Sequence, residues 1–152
     1  MREYVVLDLE WNQNPCGREL PERNLTFEII EIGAVKLNDK LEIISEFNRL
    51  VRPQVYRELH YKISQVTHIT MDELKAKGQP FETVMRDFEE WCGPDAVYCT
   101  WGPMDLTELQ RNIAYFGMLA ALEVVLLLWG SAVPTGIGGA TLNFSLVPIV
   151  LG

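Results

Sequence analysis

The sequence has little cysteine and little positive charge. Its three cysteines form no C-x-x-C pair, which argues against a disulfide framework and a thiolate zinc site and favours a reducing cytoplasm. The first residues, MREYVVLDLEWN, lack the basic, apolar and small-residue order of a secretion signal. Thirteen Lys and Arg against 21 Asp and Glu give a net charge of −8, which argues against a protein that coats nucleic acid by bulk attraction.

Charge is nearly absent from residues 118–152, where Glu123 is the single charged side chain. Residues 121–129 fit one more buried strand, but the rest shows no amphipathic period. The uncharged stretch 124–152 exceeds the roughly 20 residues that cross a membrane, although its prolines and glycines argue against a spanning helix. We therefore expect one domain over residues 1–117 and an apolar tail over 118–152 that is only partly ordered or packs irregularly.

The order of apolar patterns predicts an α/β layer structure with one core. Residues 27–37 and 41–51 are β-branched and apolar, and the turn 38–40 between them predicts an antiparallel hairpin. The other predicted elements are a first strand over 4–12, short helices over 55–63 and 71–77, a helix over 80–93, a buried strand over 95–101 and a helix over 102–117.

Two acids occupy the first predicted strand, in the segment YVVLDLEWN. Alternate side chains of a strand point to opposite faces, so Asp8 and Glu10 share one face. Burying two like charges so close together is costly unless a positive charge lies between them, and a divalent cation would supply it. The alternative is that this face of the sheet is open to water.

A third acid, Asp105, follows the buried strand in the segment YCTWGPMD, within the first turn of the next predicted helix. The helix dipole and the free backbone amides favour an aspartate there, so Asp105 needs no catalytic role. Yet an acid at the end of a neighbouring strand can converge on the same point as Asp8 and Glu10. Carboxylates are the ligands that Mg²⁺ and Mn²⁺ prefer.

Other conspicuous residues have plainer interpretations. We expect Glu28 and Glu31 to face solvent on the hairpin. We expect His60 to lie on the surface and His68 to lie in a turn. Core positions are the expectation for three tryptophans, Trp11, Trp91 and Trp101.

Taken together, the segments of residues 3–117 resemble the DEDD-type 3′–5′ exonucleases of the ribonuclease H-like superfamily, in particular their DEDDh branch. YVVLDLEWNQ is similar to the first motif, D-x-E on the first strand, and WGPMDLTELQ to the second, whose Asp follows a strand. FEIIEIGAVKL with its hairpin strand, and LVRP leading to VTHIT, lie between them in the family's order. The resemblance implies a mixed sheet, an antiparallel hairpin plus parallel strands, flanked by helices.

The same resemblance implies a site. It makes Asp8, Glu10 and Asp105 the catalytic metal ligands, and it places Leu9 and Trp11 at the terminal nucleotide of a single-stranded RNA or DNA. In such sites two Mg²⁺ or Mn²⁺ ions about 3.5 to 4 Å apart hydrolyse a phosphodiester.

The family's third motif, H-x-x-x-x-D on a late helix, is missing, because no His or Asp follows Asp105. That motif supplies a general base and a fourth carboxylate. We therefore expect a truncated or divergent C-terminal part and impaired activity, since loss of a general base costs about 10²- to 10⁴-fold in rate.

Three functions stay open. The first is a metal-dependent 3′–5′ exonuclease. The second is a catalytically inactive module of the same fold that binds a nucleic-acid 3′ end or a protein. The third is a membrane-tethered nuclease fragment that uses the apolar tail.

Overall fold

A computed structural model describes residues 3–15 and 25–116 of the chain. Its elements are β1 (Glu3–Gln13), β2 (Phe27–Leu37), β3 (Ile43–Leu50), α1 (Tyr61–Thr67), α2 (Met71–Lys77), α3 (Phe81–Cys92), β4 (Ala96–Cys99) and α4 (Met104–Tyr115). The strands form one sheet in the order β3-β2-β1-β4. Strand β1 is antiparallel to β2 and parallel to β4, and β2 is antiparallel to β3. The predicted mixed α/β sheet is confirmed.

The β2–β3 hairpin is closed by Asn38. The Asn38 side-chain oxygen accepts hydrogen bonds from the backbone amides of Lys40 and Glu42. The backbone amide of Asn38 donates to the Glu42 carbonyl at 3.0 Å. Leu41 adopts a left-handed backbone conformation with φ 62°, so regular pairing resumes only at Ile43. The hairpin is therefore confirmed, with its second strand starting two residues later than predicted.

The core lies between one face of the sheet and the helices. Alternate residues of β1 are buried there, as the period of a strand requires. Within this core, Phe88 of α3 contacts Phe47 of β3, with ring centroids 5.2 Å apart in an edge-to-face arrangement. The principal members of this core are Val5, Leu7, Leu9, Ile29, Ile32, Phe47, Phe81, Val84, Met85, Phe88, Leu109 and Ile113.

Helix α3 begins and ends as its sequence predicts. Pro80 immediately precedes it, and Gly93, with φ 76°, follows it as a C-cap. Helix α2 is also confirmed, because the Thr70 hydroxyl accepts a hydrogen bond from the Glu73 amide at 3.2 Å.

The prediction of a helix over residues 55–63 is wrong in its position. The backbone amides of residues 54–56 donate to the Glu28 carboxylate, which fixes this segment against β2 in an irregular conformation. The helix starts instead at Tyr61, where the His60 ring nitrogen Nδ1 accepts from the Lys62 amide. His60 is 7% exposed, so its predicted surface position is wrong too.

Several predictions fall on residues outside the described ranges. They concern the strand over 121–129 and the order of the tail over 118–152. Within residues 3–15 and 25–116, no helix combines the length and the apolar character that crossing a bilayer requires.

Candidate functional site

The carboxyl-terminal half of β1 extends past the end of β4. Strand β4 pairs with β1 only as far as Cys99 opposite Val6, and beyond Val6 no other strand of the described residues pairs with β1 on that side. Helix α4 starts just there, and the Leu9 amide donates to the Asp105 carboxylate at 3.1 Å. Asp105 therefore lies against the residue that separates Asp8 from Glu10.

The strand presents its two acids on the face predicted from the sequence. Val5, Leu7 and Leu9 are buried, whereas Asp8 is exposed and Glu10 is half-buried. This alternation follows from the two-residue period of a strand. Both carboxylates can therefore be reached by an ion or a substrate from solvent.

The electrostatics of the site are those of crowded acids. Burial raises the pKa of Glu10, and the charges of Asp8, Glu31 and Asp105 raise it further. Burial also raises the pKa of Asp105; the Leu9 amide opposes that shift, while Asp8 adds to it. A bound cation would relieve this repulsion, because it favours the charged form of each carboxyl.

Glu31 is a fourth acid of this cluster that the sequence reasoning did not include. It lies directly opposite Glu10 in the β1–β2 ladder, and its carboxylate accepts a hydrogen bond from the Asn48 side chain at 2.6 Å. The register of the β1–β2 pairing was the available signal, since residues that pair across strands have neighbouring side chains.

The acidic side chains around Glu10 are suitable ligands for a divalent cation, but they are not yet close enough together to form a complete binding site. The donors are carboxylates, as hard cations require, and the acids that surround Glu10 repel one another. In the described residues, however, no three His, Cys, Asp or Glu side chains already form one metal-binding group. Closing such a group requires side-chain rotation, and the exposed Asp8 has room for it.

The two residues expected to face a nucleotide differ in exposure. The Leu9 side chain is 4% exposed and its amide is bonded to Asp105, so Leu9 positions that carboxylate. Trp11 is half-buried, and its ring lies 5.8 Å from that of Phe27. At a β-bulge between Glu10 and Trp11 the extra residue is Ile30 of β2, and the pairing resumes with Trp11 opposite Ile29.

Helix α4 packs against the sheet with polar residues. The Asn112 side-chain oxygen accepts from the Ile29 amide at 3.0 Å, and its nitrogen donates to the Phe27 carbonyl at 2.9 Å. Glu108 is fully buried and accepts a hydrogen bond from Arg111 at 2.5 Å. Burial raises the pKa of Glu108, and Arg111 opposes that shift. The spacing of residues 105, 108 and 112 was the missed signal, since it places them on one helix face.

A second polar group fixes the segment after β3. The Asn12 side chain donates to the Glu58 carbonyl and accepts from the His60 amide, both at 2.9 Å. Glu28 is 1% exposed and binds the backbone of residues 54–56. The prediction that Glu28 faces solvent is therefore wrong, because three backbone amides replace water around its carboxylate.

The tryptophans divide between core and surface. Trp91 packs against the core, and its indole nitrogen donates to the Ser45 hydroxyl at 2.8 Å. Trp101 is 98% exposed, so its predicted core position is wrong. The strand before it ends at Cys99, and Trp101 therefore lies in the loop that leads into α4.

The sequence matches the family model RNase_T, described as "Exonuclease", over residues 5–125. A DNA polymerase III of PolC type from Clostridium perfringens is 33% identical over 116 residues, which cover 76% of this chain and 7% of the polymerase. The PolC-type polymerase from Thermotoga petrophila is 41% identical over 85 residues, which cover 56% of this chain and 5% of that relative. The chain thus matches only a small part of these curated relatives.

The fold is similar to that of the nuclease domain of 3′hExo, a DEDDh family member whose crystal structure was determined bound to rAMP. The TM-score is 0.62 at 26% sequence identity, with 74% of this chain and 58% of the other covered. The family-model match over residues 5–125 includes Asp8, Glu10 and Asp105.

Proposed function

Because this chain belongs to the exonuclease family whose model matches residues 5–125, we propose that it is a metal-dependent 3′–5′ exonuclease. Its reaction is hydrolysis of phosphodiester bonds at the 3′ end of single-stranded RNA or DNA. The observation that carries this proposal is the bond from the Leu9 amide to Asp105, which brings the acid of α4 to the strand that carries Asp8 and Glu10.

We assign the metal ligands to Asp8, Glu10 and Asp105. Two Mg²⁺ or Mn²⁺ ions bound there would activate water and stabilise the leaving 3′ oxygen. The chain's own contribution is to hold three carboxylates at one strand end, where burial and mutual repulsion raise the pKa values of Glu10 and Asp105. Leu9 keeps Asp105 in place, and Trp11 lies next to Glu10 for contact with the terminal nucleotide.

The substrate assignment is supported by chemistry and by the related structure. The domain of 3′hExo was solved with rAMP, a nucleoside monophosphate. A net charge of −8 disfavours binding along a long phosphate backbone, and this is consistent with recognition of one strand end. A cytoplasmic location is proposed on the cysteine pattern alone.

A second candidate function is a binding module of the same fold that holds a nucleic-acid 3′ end without cutting it. Two observations favour it. The described acids do not form a closed three-ligand group, and no His or Asp follows Asp105 in the sequence. For the enzyme, the same observations predict weak turnover, with Mn²⁺ more effective than Mg²⁺ because Mn²⁺ is less demanding in geometry.

The test is incubation of 5′-labelled single-stranded RNA and DNA with the chain in Mn²⁺ or Mg²⁺. An exonuclease gives a ladder that shortens from the 3′ end, and Asp8→Asn abolishes it. Asp87→Asn is the matched control, because Asp87 is an exposed acid on α3. Retarded but intact strands would identify the binding module. If the strands were neither shortened nor retarded, both functions would be refuted.

A further inference from the structure

The loop between β4 and α4 lies beside the acidic part of β1. Strand β4 ends at Cys99, level with Val6, and Asp105 binds the Leu9 amide. Residues 100–104 therefore connect a point level with Val6 to a point beside Leu9, and Asp8 lies between these two residues of β1. Trp101 therefore belongs to a loop that begins level with Val6 and ends beside Leu9.

Trp101 is exposed in that loop to an unusual degree. Its exposed fraction is 98%, the largest of any large apolar side chain in the described residues. The loop has a defined shape, since the Thr100 hydroxyl donates to the Gly102 carbonyl at 2.7 Å and Gly102 has φ 101°. A Cβ built on Gly102 would meet no atom of the described residues within 4 Å, so the space beside Gly102 is open there.

We infer that Trp101 is a stacking platform for an unpaired base at the 3′ end of the substrate. This inference deepens the proposed exonuclease function and rests on it. An indole face stacks on any base, so the contact is tolerant of sequence but needs a base that is not paired. It would make the site selective for single strands over duplex ends.

The charge of the site favours a contact that is not ionic. Phosphates approaching Asp8 and Glu10 are repelled until cations are bound, and the chain carries a net charge of −8. Stacking contributes affinity that depends on neither metal nor ionic attraction. Trp101 therefore supplies the part of end recognition that the acidic cluster cannot.

The test is fluorescence anisotropy of 5′-fluorescein-labelled (dA)₈ and (rA)₈ with the full chain in EDTA, where no hydrolysis occurs. Trp101→Ala should weaken binding of both oligomers by roughly 5- to 150-fold, the range of one base–aromatic stack, and Trp101→Phe should retain most of the affinity. Leu41→Ala is the control. Leu41 is a 67% exposed apolar residue in the hairpin turn, at the opposite end of β1.

A substrate change separates stacking from a structural effect. An oligomer that lacks its 3′-terminal base should bind the wild-type chain as weakly as Trp101→Ala binds the intact oligomer. The two changes together should cost no more than either one, because both remove the same contact. A blunt duplex should bind the wild-type chain and Trp101→Ala equally weakly.

Four outcomes would overturn the inference. Equal affinity of wild type and Trp101→Ala would refute it and leave the nuclease proposal standing, as would fully additive losses for the abasic oligomer. A chain that shortens strands in Mn²⁺ but binds none in EDTA is compared instead by its rate of shortening below substrate saturation, where equal rates for wild type and Trp101→Ala would refute the inference. A chain that neither binds nor shortens strands would refute the inference and the proposed function together.

Discussion

Helices α3 and α4 each have 12 residues and each follow a proline, but they bury different kinds of side chain. The buried face of α3 is apolar throughout, with Phe81, Val84, Met85, Phe88 and Cys92. The buried face of α4 is mostly polar, with Asp105, Glu108, Leu109, Asn112 and Ile113.

From this difference we expect α3 to contribute mainly to the stability of the fold and α4 mainly to the position of the proposed site. Burying an apolar face stabilises the folded state without any specific partner. Burying a polar group is unfavourable unless that group forms a hydrogen bond. Helix α4 uses its polar residues to bind the backbone of β1 and β2 at fixed points, through Asp105 and Asn112. The helix that carries the proposed site residue Asp105 is thus placed by directional bonds, and α3 supplies the bulk of the packing.

The largest effect expected from α4 follows from replacing Asn112. Asn112→Ala leaves the Ile29 amide and the Phe27 carbonyl without their partner, so we expect a loss of about 1–3 kcal/mol in the free energy of unfolding. It should also weaken Mn²⁺ binding, because α4 then holds Asp105 less firmly. Urea denaturation and calorimetry measure the two effects.

The comparison variant on α3 is Phe88→Ala. Removing this core ring should cost more stability, about 3–5 kcal/mol, because it leaves a cavity. The folded fraction should nevertheless bind Mn²⁺ with unchanged affinity. If both variants changed Mn²⁺ affinity equally, the division of roles between α3 and α4 would be wrong.

A smaller effect is expected from Glu108→Gln, and it should depend on pH. Burial raises the pKa of Glu108 in the folded protein, so the folded state binds more protons than the unfolded chain between the two pKa values. The stability contributed by Glu108 is full below the unfolded pKa and is lost as pH rises through the folded pKa. The variant lacks this loss, so its stability relative to wild type should increase from about pH 4 to about pH 7.

Urea denaturation at the two pH values measures this difference. Glu90→Gln is the matched control, because Glu90 is exposed on α3 and should show little change with pH. A stability difference for Glu108→Gln that stayed constant or decreased as pH rose would contradict the account of a buried, costly carboxylate.

Sequence reasoning predicted the elements whose signals are local. The apolar spacing of α3, the Thr70 cap of α2 and the turn at Asn38 each reside within a few neighbouring residues, and each is confirmed. The helix expected over 55–63 was misplaced because the Glu28 carboxylate, distant in sequence, binds the amides of that segment. Hydrogen bonds between residues distant in sequence produce no periodic pattern in the sequence.

For the site, the sequence indicated the acids but not their surroundings. The alternation of β1 predicted that Asp8 and Glu10 share a face, and this is what the strand shows. The order of β4 and α4 suggested that Asp105 approaches them. The position of Glu31 opposite Glu10 depended on the register between β1 and β2, and the exposure of Trp101 depended on where β4 ends, so neither could be derived from residue type alone.

The central claim is that Asp8, Glu10 and Asp105 act as one divalent-cation site, and titration calorimetry with Mn²⁺ tests it most directly. We expect the wild-type chain to bind Mn²⁺ and both Asp8→Asn and Asp105→Asn to weaken that binding by roughly tenfold or more, about 1.4 kcal/mol. Asp87→Asn should bind like wild type. Unchanged Mn²⁺ binding in both Asp8→Asn and Asp105→Asn would contradict the claim.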